Sequence, residues 1–162
     1  EEGIDLAVRI GPLADSSLVA VPAGVMRQVV VASPALLART GEPRTPAALS
    51  SLPCVRFLGG TGATHWAFSV DGKTVQVPIA PRLTVNQAMP AVSACVAGLG
   101  FGRFLAYQVR AALADGSLRC VLERHELPPL PVSLLTSERR AMSHRLRLLR
   151  DALKEALLAQ CA

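Results

Sequence analysis

Three glycines at alternate positions, Gly98, Gly100 and Gly102, close the stretch LTVNQAMPAVSACVAGLGFGRF, residues 83–104. Glycine is the residue that lets a backbone come close to a phosphate. A dinucleotide fingerprint needs its glycines after a strand and before a helix, so that phosphate meets free helical N–H groups. Here the helix-forming run comes first. Gly98 therefore reads as the left-handed stop of a helix, and Gly100 and Gly102 as close-packing positions entering a strand. The expected helix carries Met89, Val92, Val96 and Leu99 on one apolar stripe. Its start has more chemical interest. Asn86 can cap it, leaving backbone N–H groups near Gln87 and Ala88 at the positive helix end, where a carboxylate is favoured. Two readings stand: a plain capped helix, or an end that holds an anion.

Other chemistry-bearing residues are sparse. Phe57, Leu58, Gly59 and Gly60 end an expected strand and open a loop, the place where α/β sheets commonly take ligands. In that loop Thr61 and Thr64 offer hydroxyl donors; the plainer reading is a flexible connection. Phe101 and Phe104 supply either an apolar wall or core packing. The histidines His65, His125 and His144 lie far apart with no ligand spacing around them, so neither a metal site nor histidine catalysis is expected. Ser16 and Ser17 have no nucleophile-elbow context. Cys54, Cys95, Cys120 and Cys161 form no CxxC pair and read as small core residues with reduced thiols. No cofactor is implied, and no paired acid and base suggests an enzyme.

The elements that must position these groups follow from periodicity. The chain has 162 residues, just over half of them apolar, and a net charge of +5. Its basic residues are scattered except over 139–150, which reads as a solvated helix face or a subunit contact. Aromatic residues are too few for a base-stacking platform. No apolar run approaches the ~20 residues of a membrane span, and EEGIDLAVRI has no basic and apolar leader pattern. Ile4, Leu6, Val8 and Ile10 alternate with polar or small residues as a strand with one apolar face. Further strands are expected over 17–21, 27–32, 54–58, 101–105, 118–122 and 132–136. A hairpin is expected over 65–79 around Asp71-Gly72. Ser33-Pro34 and Thr45-Pro46 read as helix starts, with Gly41 as a stop. A last helix is capped by Ser143 and carries Leu146, Leu149, Leu153 and Leu157 on one face. Alternating strands and helices indicate an α/β protein with mostly parallel sheets. Pro128, Pro129 and Pro131 make a stiff connector, read as a crossing between two lobes.

The blocks EEGIDLAVRIGPLADSSLVA, VVVASPALLARTGEPRTPAAL, HWAFSVDGKTVQV and VNQAMPAVSACVAGLGFGRF resemble, in order and spacing, the effector-binding domain of LysR-type transcriptional regulators. GSLRCVLERHELPPLPVSLLTSERRAMSHRLRLLRDAL is similar to that family's closing pattern. The resemblance implies a type 2 periplasmic-binding-protein-like fold of two lobes with a cleft between them. Residues 1–24 would belong to lobe I, 25–128 would form lobe II, and 129–162 would return to lobe I. The family's N-terminal winged helix-turn-helix and the first part of lobe I are absent from this chain, which is therefore not expected to bind an operator alone. A small, anionic metabolite would sit in the cleft of a cytoplasmic homodimer, tetrameric in the full-length protein. Arg9 would border that cleft and pair with a ligand carboxylate; an internal salt bridge is its other reading. Phe57, Gly59, Thr61, Asn86, Gln87 and Phe104 complete the expected effector contacts. A periplasmic solute-binding protein of a transporter is the alternative with the same fold.

Overall fold

The computed structural model describes residues 4–13, 18–58, 64–137 and 143–161. It divides into two units, one made of Glu1–Met26 with Pro129–Ala162, the other of Arg27–Pro128.

The first unit contains a three-stranded antiparallel sheet of β1 (Leu6–Ile10), β2 (Leu18–Met26) and β10 (Leu130–Ser137), with β10 in the centre. β2 runs well past the expected 17–21. Pro22, Ala23 and Gly24 look like a turn locally, yet Pro22 pairs with Ser133 and Gly24 with Val132. Ala23 is the extra residue between those pairs, so a bulge absorbs the irregular stretch and the strand continues. Helix α4 (His144–Cys161) packs on β2. The Ser143 hydroxyl accepts the Leu146 amide hydrogen at 3.3 Å, as the expected cap requires. The anticipated stripe is only partly buried: Leu146, Leu153 and Leu157 are half-buried, whereas Leu149 is exposed. Val8 is also exposed, at 48%, so β1 does not bury its whole apolar face.

The second unit is built on a five-stranded sheet. Its strands are β3 (Gln28–Ala32), β4 (Cys54–Phe57), β7 (Pro81–Val85), β8 (Phe101–Leu105) and β9 (Arg119–Val121), in spatial order β7-β4-β8-β3-β9. β4 is parallel to both β7 and β8, while β3 is antiparallel to both β8 and β9. Four strands thus share one direction and β3 alone runs against them. The expectation of mostly parallel sheets is met only in part: this sheet is mixed, with two parallel and two antiparallel pairings, and that of the first unit is antiparallel. The reason is the connection type. Helices α2 (Ala88–Val96) and α3 (Ala106–Ala114) link β7 to β8 and β8 to β9 as parallel crossovers. In the first unit the central strand β10 comes from a distant part of the chain and pairs antiparallel with both β1 and β2.

Between β3 and β4 lie α1 (Pro34–Thr40) and a 3-10 turn at Pro46–Ser51. The Ser33 hydroxyl accepts from the Leu36 amide at 3.2 Å, Pro34 opens α1, and Gly41 closes it with φ +78°. The hairpin β5 (His65–Val70) and β6 (Lys73–Pro78) sends Trp66, Phe68 and Val77 into one core layer, with Phe101, Leu36 and Leu49. The opposite face of the sheet packs Val29, Val31, Val55 and Phe104 against α2 and α3. Among the described residues, the two buried apolar clusters lie in this unit.

The buried face of α2 is Ala91, Val92 and Cys95. It is not the expected stripe: Met89, Val96 and Leu99 are 66%, 39% and 43% exposed. Close approach decides the matter. A Cβ on Gly102 would lie 2.5 Å from the Cys95 sulfur and 2.3 Å from Phe104, so a helix this near the sheet presents its smallest side chains. Gly98, at φ +76°, ends the helix as expected. Its amide donates to the Cys95 carbonyl at 2.9 Å and the Leu99 amide to Ala94 at 3.0 Å, the two bonds of a Schellman stop. At Gly100 a Cβ would sit 2.7 Å from the Pro53 carbonyl oxygen. All three glycines serve termination and packing.

Candidate functional site

In the second unit β4, β7 and β8 end along one edge of the sheet, and α2 and α3 start there. The Leu58 amide extends the edge by donating to the Val85 carbonyl at 2.8 Å. Open α/β sheets take ligands outside these carboxyl ends. Phe57 is half-buried here and its ring stacks on Phe104, with centroids 6.3 Å apart and planes 23° from parallel. Phe104 is 2% exposed and belongs to the core, so only Phe57 has ring surface to offer a ligand. Asn86 and Gln87 are both exposed at the same edge. The expected cap moves by one residue: Gln87, not Asn86, is the N-cap of α2, and it makes no side-chain capping bond. Gly59 and Thr61 lie outside the described residues. Thr64 is committed to a 3.1 Å hydrogen bond with His65 Nδ1.

Arg9 belongs to the first unit. It is exposed, pairs in the sheet with Ser133, and donates from Nε to the Pro12 carbonyl at 3.3 Å. Among the described residues it makes no ion pair.

Two residues at the same end of the second unit escaped the sequence reading. Arg56 is the third residue of β4 and Arg103 the third of β8. β4 and β8 pair Cys54 with Phe101 and Val55 with Gly102. One further step in a parallel register sets Arg56 beside Arg103, and the Phe57–Phe104 stack follows on the opposite face. Arg103 donates through Nη2 to the Gln28 side-chain oxygen, and burial lowers its pKa from the ordinary value. The Nε–H of Arg56 is buried with no partner. The legible signal was a repeated dipeptide: CVRF and FGRF both end a strand on Arg-Phe.

The remaining charged groups are held structurally. Arg27 binds Glu126 with two bonds, Nε to Oε2 at 2.9 Å and Nη2 to Oε1 at 2.8 Å, and reaches Glu123 at 3.3 Å. The bond to Glu126 is the main reason its pKa rises. Leu122, at φ +58°, makes the turn that brings Glu123 and Glu126 over Arg27. A polar cavity of about 670 Å³ beside β9 is lined by Glu42, Arg44, Cys120, Glu123, Arg124 and His125. His125 Nδ1 is 3.0 Å from the Ser69 carbonyl oxygen. Burial pushes Cys54 and Cys95 up to about 12, so both thiols stay protonated at neutral pH. Among the described residues no group of three His, Cys, Asp or Glu side chains could hold a metal, and no helix is long and apolar enough to cross a membrane.

Cationic and amide groups thus gather at the carboxyl ends of the second unit's sheet, with an aromatic ring beside them, where α/β sheets commonly take ligands. Comparison with known proteins gives the family. Residues 1–158 match the LysR substrate binding domain, and the chain belongs to that family. It is 36% identical over 151 residues to YhjC, an HTH-type transcriptional regulator of Escherichia coli (strain K12), covering 91% of this chain and 50% of that protein. It is 29% identical over 138 residues to the HTH-type transcriptional activator AaeR of the same organism, covering 85% of this chain and 45% of AaeR. Among solved structures, CrgA of Neisseria meningitidis, a LysR-type transcriptional regulator, superposes with a TM-score of 0.82 at 29% identity, covering 95% of this chain and 52% of CrgA. The chain spans about half the length of the curated relatives it matches.

Proposed function

We propose that this chain is the effector-binding regulatory domain of a LysR-type DNA-binding transcriptional regulator and senses a small anionic metabolite. The observation that carries the reading is the family match over nearly the whole chain, together with the regulators among its relatives. The proposed contacts are Arg9 on the first unit, and Phe57, Gly59, Thr61, Asn86 and Gln87 on the second, with the buried Phe104 backing Phe57 from the core. Arg9 would pair with a carboxylate, Asn86 and Gln87 would hydrogen-bond it, and Phe57 would cover the apolar part. DNA would be met by a winged helix-turn-helix outside this chain, in a cytoplasmic homodimer that pairs again into a tetramer. A ligand alters such an assembly only by binding one arrangement better than another. The solute-binding alternative draws no support from the relatives, which are regulators.

The test is calorimetry of Arg9→Ala against a carboxylate that binds the unaltered chain. Losing a hydrogen-bonded charge partner is expected to weaken binding about tenfold or more, with the melting temperature unchanged because Arg9 is exposed. Equal affinity in the two proteins would remove Arg9 from the site.

A further inference from the structure

We infer that residues 123–128 form a strap on the second unit, fastened by an ionic clasp from Arg27 and able to release while the core of that unit stays folded. β9 ends at Val121 and β10 begins at Leu130, so no strand ladder holds the segment between them. None of residues 123–129 is buried, and Leu127 belongs to neither apolar cluster. Pro128 and Pro129 have no N–H to donate. The 3-10 turn at Glu123–His125 closes only on itself, through the His125 amide to the Leu122 carbonyl at 2.8 Å and the Glu126 amide to that of Glu123 at 3.2 Å. Segments with so little burial and backbone pairing open at low cost, ahead of the core.

Side chains supply what holds the strap down. Arg27 takes both carboxylate oxygens of Glu126 and also reaches Glu123. His125 Nδ1 donates to the Ser69 carbonyl on the hairpin, since a carbonyl only accepts. The anchor is firm: the Arg27 carbonyl accepts the Ala106 amide at 3.0 Å, and β3 starts at the next residue. The other end is strained. Leu122 sits at φ +58°, a left-handed backbone that disfavours a leucine. Opening the clasp frees Leu122 to return to ordinary backbone, so strain and ion pairing oppose each other across one short segment. A two-pronged arginine–carboxylate bond is stronger than an ordinary surface pair. Arg27 and Glu123 are nevertheless 50% and 59% exposed, so salt screens the cluster. The chain enters the second unit at Arg27 and leaves it after Pro128. One clasp therefore fastens the entering and the leaving segment together. It needs no ligand and stands apart from the regulatory reading.

The test is hydrogen exchange of the full 162-residue chain, followed at the His125 and Glu126 amides. The amides of β8 and Trp66 fluorescence in urea report on the core. At low salt the two strap amides of the unaltered chain are expected to be protected. Arg27→Met and Glu126→Gln are each expected to speed their exchange about tenfold or more, while β8 exchange and the urea midpoint hold. Raising the salt to about 1 M is expected to speed strap exchange in the unaltered chain and to leave Arg27→Met unmoved. Should either variant fail to fold, Arg27→Lys keeps the charge and loses the two-pronged bond, and a smaller rise confined to the strap is expected. Strap amides that exchange freely in the unaltered chain, or no faster in the folded variants, would overturn the clasp. Core amides that speed up in step with the strap would overturn its independent release.

Discussion

The two units handle their apolar surface in opposite ways. The second encloses its sheet on both faces, under the hairpin on one side and α2 and α3 on the other, and both buried clusters are there. The first is shorter, yet nine of the fifteen large apolar side chains found exposed among the described residues belong to it, Val8, Val19 and Val25 among them. Charge divides the same way. The first unit balances seven basic against seven acidic residues, and the second holds the +5 surplus. Stability and positive potential thus concentrate in one unit, and substitutions of the same kind should have very different costs on the two sides.

The largest expected contrast comes from Phe101→Ala. Phe101 is fully buried in the layer that also holds Trp66. Its truncation is expected to cost about 3–5 kcal/mol. Trp66 is the sole tryptophan, so its fluorescence during urea unfolding reports the second unit alone. A loss below about 1 kcal/mol would mean that this core is not the main store of stability. A smaller effect for each pH unit should come from alkali. Cys54 and Cys95 both lie in the second unit, and burial raises each to about 12, above the ordinary 9.0. Below pH 9 neither folded nor unfolded thiols ionise, and the stability is complete. Between about pH 9 and 12 the unfolded chain loses protons that the folded one keeps, so stability falls by up to about 1.4 kcal/mol per pH unit for each thiol. Urea midpoints read by Trp66 should therefore fall across that range, and the fall should shrink in Cys95→Ala. The smallest effect is expected at Val8→Ser on β1, within about 0.5 kcal/mol, measured by hydrogen exchange along β10. A cost of several kcal/mol there would show that the exposed face of the first unit is covered in solution.

What the sequence revealed depended on how local the physics was. Ser33-Pro34 and Gly41 were legible because a cap and a left-handed stop involve only neighbours along the chain. Gly98 was legible for the same reason. The reversed direction of β3 was not, since it depends on partners β8 and β9 about seventy to ninety residues away. The buried face of α2 was misread because Gly102, on the next strand, sets how close the helix comes and therefore favours Ala91 and Cys95 over Met89. Pro22 and Gly24 spoke for a turn, and only the bulge opposite Val132 and Ser133 keeps them in a strand. Among the site residues, the strand-end position of Phe57 could be read from the pattern, and that of Asn86 to within one residue. The arginine pair required a register between two strands, which no single segment encodes.

The regulatory reading requires that this chain accept a small anion. The most direct measurement is the Trp66-monitored thermal melt of the intact chain against a panel of small carboxylates. A true ligand at a hundred times its Kd adds about 2.7 kcal/mol, which for a chain of this size raises the melting temperature by several degrees. Such a shift for one or a few members of the panel is the expected result. A melt that no carboxylate moves, or a carboxylate consumed during incubation with the chain, would contradict it.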